Sequence, residues 1–212
     1  MPNKVMPKLS SLPSLLRLPL ALSAALLVGC GASAAGNPKV PAGAKSSGGL
    51  HATMVTDKGT IEFELDEADS PKAVENFRLL AEHGYYDGTK FHRIVSGFMI
   101  QGGDPAGDGS GGESAWGGSF DDNIKRSSDL YQRGYRRGVL AMANSGPNTN
   151  ASQFFIMHKD YPLPPNYVIF GKVTKGIEVV DAIAATPVGM GVSGEISTPM
   201  TPQVIRKVTI SP

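Results

Sequence analysis

Short apolar runs separated by turn residues make up most of the sequence after residue 50, and they constrain the fold more than any other feature. Glycine and proline are frequent, with 26 and 16 among 212 residues, which favours many turns and few long helices. Strands are predicted for residues 53–56, 60–65, 91–94, 98–101, 138–143, 152–157, 168–173 and 202–210. So many short strands predict a mainly β fold, either a closed barrel or a sandwich, instead of alternating strands and helices.

Two segments carry the start and stop signals of helices. Ser70 and Pro71 predict the beginning of the first helix, with Ser70 as the N-cap and Pro71 at the first helical position. Apolar residues then recur at helical spacing up to Gly84, where this helix is expected to end. The second helix is predicted at residues 177–185.

Residues 1–29 have the pattern of a secretory signal peptide. Three basic residues and no acidic residue precede the end of an apolar stretch at 18–28. This stretch is shorter than the roughly 20 residues that a helix needs to cross a bilayer. It ends in Leu-Val-Gly-Cys, which resembles a bacterial lipobox, so the thiol of Cys30 is expected to be acylated after cleavage before it. The alternative is an ordinary signal peptide followed by an incidental cysteine.

The segment that follows is predicted to be a tether. Residues 30–50 contain the lipidated Cys30 and then mostly Gly, Ala, Ser and Pro, which cannot bury enough apolar surface to order themselves. The folded domain is therefore expected at residues 51–212. Without residues 1–29 the chain has 17 basic and 19 acidic residues, a formal net charge of −2. No nucleic-acid partner is expected, and membrane attachment would depend on the acyl chains.

Three stretches of the predicted domain resemble a known family. They are FHRIVSGFMIQGGD at 91–104, LAMANSGPNTNASQFFI at 140–156 and YVIFGKV at 167–173. They look like the signature stretches of the cyclophilins, the peptidyl-prolyl cis-trans isomerases, in the family's order and near its spacing. The resemblance covers about residues 54–210. It implies a closed eight-stranded antiparallel barrel capped by two α-helices, with the active site in a groove on the outer face.

The resemblance implies that Arg93 is the main catalytic residue. By pattern alone, an arginine in a strand would most often face solvent. Rotation of an X–Pro amide localises the lone pair of the prolyl nitrogen, which becomes a better hydrogen-bond acceptor in the twisted state. A donor that contacts this nitrogen stabilises the transition state more than the ground state, and arginine is a charged donor with several N–H groups.

The remaining groove residues also follow from the resemblance. Gln101 would orient Arg93 and the peptide. The substrate-binding residues would be Phe98, Met99, Ala143, Asn144, Gln153, Phe155, Leu163 and Tyr167. Alternation along the strand places one residue of Phe154-Phe155 in the core and the other in the groove, and the resemblance assigns Phe155 to the groove. Two positions depart from the family, since Tyr167 and Pro162 stand where many relatives have His and Trp.

The histidines and the basic residues outside these stretches carry weaker signals. The histidines have no metal-ligand spacing, so neither a metal nor another cofactor is expected. The basic segment 124–137 is longer than the family's usual connection; it either lies near the groove and favours acidic substrates or is a solvated loop.

The predicted function is acceleration of proline isomerisation during the folding of exported proteins. The partners would be proline-containing polypeptides, and the chain would act as a monomer anchored to a membrane of a bacterial cell envelope. The alternative is a non-catalytic peptide-binding or chaperone module that uses the same groove.

Overall fold

The computed structural model describes residues 49–191 and 194–212. The predicted signal peptide at 1–29, Cys30 and all but the last two residues of the predicted tether lie outside the described residues. Leu50, at the predicted boundary, is buried in the core, and its carbonyl accepts a hydrogen bond from the Leu65 N–H at 2.8 Å. No helix in the described part of the chain is both long and apolar enough to cross a membrane.

Antiparallel strands form most of the regular structure, as the sequence predicts. The ten strands are β1 His51–Thr56, β2 Gly59–Leu65, β3 Arg93–Val95, β4 Met99–Gly102, β5 Val139–Met142, β6 Phe154–Met157, β7 Ile169–Lys175, β8 Val188–Met190, β9 Ile196–Pro199 and β10 Ile205–Ser211. Eight of them form one sheet in the order β10-β1-β2-β7-β5-β6-β4-β3. The strands β8 and β9 pair only with each other, and β9 packs against β3.

The sheet is curled into a half-barrel, and its two edge strands are β10 and β3. These two strands do not pair with each other in the described part of the chain; instead, Lys90 forms an isolated bridge with Val204. Beside this bridge, the Phe91 N–H donates to the Gln203 carbonyl at 2.9 Å. The closed barrel predicted from the sequence is therefore not shown and stays a prediction.

Three helices are present in the described residues where the sequence predicts two: α1 Pro71–Glu82, α2 Asp129–Arg133 and α3 Ile177–Ala184. The additional helix, α2, has five residues and lies inside the basic segment 124–137. At the start of α1, Ser70 has the N-cap position but makes no capping hydrogen bond. Its hydroxyl donates instead to the Ile169 carbonyl at 2.6 Å, so Ser70 connects the helix to β7.

The side chains of the sheet separate into two apolar clusters because successive residues of a strand point to opposite faces. On one face, Phe154 packs edge-on against Phe77 of α1, with ring centroids 5.7 Å apart. On the other face, Phe155 belongs to a second, smaller cluster with Met99 and Ile169. The predicted separation of Phe154 and Phe155 is therefore present, and the smaller cluster lies on the face that carries Arg93 and Gln101.

The β8–β9 hairpin is the main element that the sequence analysis missed. Its strands have three and four residues, and most of their side chains are partly or fully exposed, so they carry no alternating apolar pattern. Met190 and Ile196 are paired across the hairpin and are 68% and 61% exposed. The residue before β9, Glu195, contacts Arg93, which the resemblance assigns to the site.

Candidate active site

Strand register brings Arg93, Gln101 and Phe155 into one row. Arg93 of β3 pairs with Gln101 of β4, and Gln101 pairs in turn with Phe155 of β6. Directly opposed residues of antiparallel strands present their side chains on the same face. Accordingly, Nη1 of Arg93 donates to Oε1 of Gln101 at 3.2 Å. Three residues that the resemblance assigns to the site are thus neighbours by the geometry of the sheet.

A chain of hydrogen bonds orients the Gln101 amide. Its Nε2 donates to Oε1 of Gln153 at 2.9 Å, and Nε2 of Gln153 donates to the carbonyls of Gly109 and Gly111 at 3.0 and 2.8 Å. Because the amide nitrogen of Gln101 is used on Gln153, its oxygen faces Arg93 as an acceptor. The glycine-rich loop after β4 therefore supports the side chain that contacts Arg93.

About a third of the Arg93 side chain is exposed, and the rest contacts neighbouring side chains. Its Nε and Nη2 donate to the two carboxylate oxygens of Glu195 at 2.6 and 2.9 Å. Its Cζ lies 5.9 Å from the centre of the Phe98 ring, and Nη1 lies 3.9 Å from the Met99 sulfur. The hydrogen bonds from Arg93 hold the pKa of Glu195 below its ordinary value. This ion pair explains how a strand accommodates a partly buried guanidinium.

The apolar residues predicted for the site lie together beside Arg93. Met99 and Phe155 are buried in the smaller cluster, and Phe98, Ala143, Leu163 and Tyr167 are partly buried against it. The Tyr167 ring meets the Phe155 ring edge-on, with centroids 5.5 Å apart. These side chains form one continuous apolar cluster next to the guanidinium.

Tyr161 is a contact of this surface that the sequence analysis did not assign. Its ring lies 4.4 Å from the Phe98 ring, centre to centre, and it is 46% exposed. The resemblance to cyclophilins implies an aromatic residue at the position of Pro162, but the aromatic ring next to Phe98 belongs to the preceding residue.

The polar substrate-binding candidates border a separate cavity. Gln101, Ala143, Asn144 and Gln153 line it together with the glycine-rich loop. Nδ2 of Asn144 donates to the Asn166 carbonyl at 2.9 Å, which connects the ends of two loops at the cavity rim. Gln101 also lines the cavity that contains Arg93 and Glu195, so it is the side chain common to both.

The basic segment 124–137 supports the site through tyrosines instead of arginines. Tyr131 and Tyr135 are buried, and the Tyr135 hydroxyl donates to the Tyr167 carbonyl at 2.8 Å. The Tyr131 hydroxyl accepts from the Ile169 N–H at 2.9 Å, and burial raises the pKa of Tyr131 to about 12. The segment is thus packed against Tyr167 and the first residue of β7, through buried tyrosines that the sequence analysis did not single out.

The buried imidazole of His92 makes stability depend on pH. Burial lowers the pKa of His92 below its ordinary value, although the nearby carboxylates of Asp104 and Asp108 act in the opposite direction. An unfolded histidine takes up its proton near about pH 6.5. In the folded chain His92 takes up its proton only at lower pH. The free energy of unfolding is therefore highest above about pH 6.5 and falls as the pH decreases through that value.

His92→Phe is therefore expected to weaken the pH dependence of the melting temperature. The fall in Tm between about pH 7.5 and 5.5 should be smaller in the variant than in the wild type, because the variant has no imidazole to protonate on unfolding. His158, whose pKa is also lowered by burial, contributes a fall of the same sign to both proteins. An identical fall in the two proteins would contradict the effect assigned to His92.

No three His, Cys, Asp or Glu side chains come together as potential metal ligands within residues 49–191 and 194–212.

A family model described as cyclophilin type peptidyl-prolyl cis-trans isomerase/CLD matches residues 51–210. The chain belongs to this family. Cyclophilins are isomerases of X–Pro peptide bonds, and the matched residues include every described candidate for the site.

Individual relatives agree with this membership. The chain is 47% identical over 162 residues to peptidyl-prolyl cis-trans isomerase CYP18-1 of Arabidopsis thaliana, covering 76% of this chain and 96% of the relative. It is 47% identical over 137 residues to peptidyl-prolyl cis-trans isomerase-like 3 of Gallus gallus, covering 64% and 83% of the two chains. A crystal structure of a Cryptosporidium parvum cyclophilin in the presence of the dipeptide Ala-Pro is similar with a TM-score of 0.69 and 39% identity, covering 76% and 99%.

This cyclophilin is therefore a peptidyl-prolyl cis-trans isomerase whose substrates are proline-containing peptides. The family match favours the enzyme over the non-catalytic module that the sequence left open. The match begins at residue 51, so it carries no information on the predicted signal peptide or on Cys30.

Proposed function

We propose that Arg93 is the catalytic residue and that it donates a hydrogen bond to the prolyl nitrogen of the twisted peptide bond. The observation that carries this proposal is the position of its guanidinium, which is partly exposed, hydrogen-bonded on two sides, and next to the apolar cluster of Phe98 and Met99. A proline ring on that cluster would place its nitrogen within reach of the remaining N–H groups. This reaction needs no acid, base or cofactor.

The energetics require Arg93 to act together with the apolar surface. The barrier to rotation of a peptide bond is about 18–20 kcal/mol. Turnover in milliseconds needs a barrier of about 14 kcal/mol, so about 5 kcal/mol has to be removed. One well-placed donor contributes about 3–4 kcal/mol, by analogy with oxyanion-hole donors. Holding the proline ring while the preceding peptide rotates would supply the rest.

The other candidates divide into two groups in this proposal. The apolar group holds the proline ring and consists of Phe98, Met99, Phe155, Leu163 and Tyr167. The polar group, Gln101, Asn144 and Gln153, binds the backbone of the residues before the proline, with Ala143 at the edge of the same cavity. The test is exchange NMR of an Ala-Pro peptide with a substoichiometric amount of the mature chain. Exchange that is no faster than that of the free peptide would contradict the assignment.

We further propose that the isomerase acts as a monomer outside the cytoplasm, anchored to a membrane of a bacterial cell envelope. The support is the order of a basic segment, an apolar stretch and Leu-Val-Gly-Cys ending at Cys30. Exported proteins emerge unfolded on that side of the membrane, and slow X–Pro isomerisation limits the folding of many chains. They would be the substrates of an anchored isomerase.

Cys30→Ser is expected to release the protein from the membrane fraction. The acyl chains would have no attachment site, and the body with its net charge of −2 has little attraction to an anionic membrane. The measurement is fractionation of cells after a high-salt wash, with Ser33→Ala as a control in the same segment. Membrane retention of the Cys30→Ser protein would contradict the lipid anchor.

A further inference from the structure

Glu195 contacts Arg93 from a part of the chain that is 102 residues away in sequence. It lies immediately before β9, in the hairpin that packs on β3. Its own carbonyl accepts a hydrogen bond from the Gly191 N–H at 2.7 Å, and this bond holds the two arms of the hairpin together. The carboxylate therefore reaches Arg93 from a hydrogen-bonded element.

We propose that Glu195 is a positioning residue that fixes the Arg93 guanidinium for catalysis, an inference that rests on the proposed catalytic role of Arg93. The carboxylate binds Nε and Nη2, which form the side edge of the guanidinium. Nη1 is used by Gln101 and, weakly, by the Met99 sulfur. This side-on geometry leaves the second N–H of Nη2, on the terminal edge of the guanidinium, for the substrate.

The ion pair is the stronger of the two constraints on the guanidinium. Bidentate arginine–carboxylate pairs fix the plane of the group as well as its position, and their charge-assisted bonds are about twice as strong as neutral ones. Without Glu195, the hydrogen bond to Gln101 at 3.2 Å would be the main remaining restraint. A long side chain on a three-residue outer strand would then sample several rotamers. Displacement of a catalytic group by about 1 Å can cost about 100-fold in rate.

The orientation of the pair argues against a blocking role for Glu195. A carboxylate that blocked the site would bind the terminal edge, where the prolyl nitrogen has to approach. Glu195 binds the edge that includes Nε, on the side of the aliphatic stem. Its removal is therefore expected to slow the reaction by releasing Arg93, instead of accelerating it by uncovering Arg93.

The test compares Glu195→Ala and Glu195→Gln in the mature chain with a matched control. Glu82 forms a similar exposed ion pair with Arg78 on α1, at 2.8 Å, so Glu82→Ala removes an equivalent surface carboxylate. Glu195→Ala is expected to lower kcat for an Ala-Pro peptide about 10-fold with a smaller change in KM, because a released Arg93 is misplaced in the transition state. Glu195→Gln should lie between it and the wild type, because its amide oxygen still accepts one N–H. Glu82→Ala should match the wild type.

A spectroscopic measurement reports on the geometry itself. The Nε–H resonance of Arg93, identified by its loss in Arg93→Lys, should exchange slowly with water in the wild type and rapidly in Glu195→Ala. Unchanged or increased kcat in Glu195→Ala, with activity lost in Arg93→Ala, would overturn the positioning role of Glu195 alone. Full activity in Arg93→Ala would instead overturn the catalytic role proposed for Arg93.

Discussion

Arg93→Ala is expected to lower kcat/KM for an X–Pro peptide roughly 30- to 1,000-fold. This corresponds to an increase of about 2–4 kcal/mol in the activation free energy. The substitution removes the donor proposed to contact the prolyl nitrogen and leaves the apolar cluster in place. It also leaves the carboxylate of Glu195 without its partner, but that group is 37% exposed at the side chain and can be solvated. Loss of folding is therefore not expected.

The measurement is exchange NMR or a coupled peptide assay, together with a thermal unfolding curve of each protein. Arg78→Ala is the matched control, because Arg78 also forms an ion pair with a glutamate but lies on α1 away from the site. It should retain the activity of the wild type. Equal rates for Arg93→Ala and the wild type, with matching unfolding curves, would contradict the role of Arg93.

Phe154→Ala is expected to lower the free energy of unfolding by about 3–5 kcal/mol. Phe154 is fully buried and packs edge-on against three rings, those of Phe77, Tyr86 and Phe91, with centroids 5.7, 5.6 and 6.3 Å away. Its removal would leave a cavity between the sheet and α1. Urea unfolding measures the loss of stability. If the alanine variant does not fold, Phe154→Leu replaces it, and a smaller loss is expected for that variant.

Phe155→Ala provides the comparison, because the two residues are adjacent in β6 and are both buried. Phe155 packs against Tyr167 in the smaller cluster, which is proposed to hold the proline ring. Its truncation is expected to raise KM about 10-fold or more, whereas Phe154→Leu should leave KM near the wild-type value. A normal KM for Phe155→Ala would contradict the assignment of this face to the substrate.

The sequence was sufficient for features that depend on neighbouring residues. Alternation along single strands predicted that Phe154 and Phe155 lie on opposite faces, and the structure has them in different clusters. The predicted strands and the helices at 71–82 and 177–184 are present within a few residues of their expected ends. The resemblance carried by residues 91–104 implied that Gln101 orients Arg93, and the two side chains are hydrogen-bonded across the tight β3–β4 hairpin.

Contacts between distant segments were not predictable in this way. Nothing near Glu195 in sequence indicates that it binds Arg93, because the β8–β9 hairpin has no alternating pattern and reaches β3 only by packing on the sheet. The hydroxyls of Tyr131 and Tyr135 likewise form hydrogen bonds with the backbone of Ile169 and Tyr167. The segment that contains these tyrosines was interpreted from its basic residues, so these contacts were not expected. A buried polar group forms its hydrogen bond with a group that the tertiary structure places next to it. These partners are therefore determined by the packing of the whole domain and not by the neighbouring sequence.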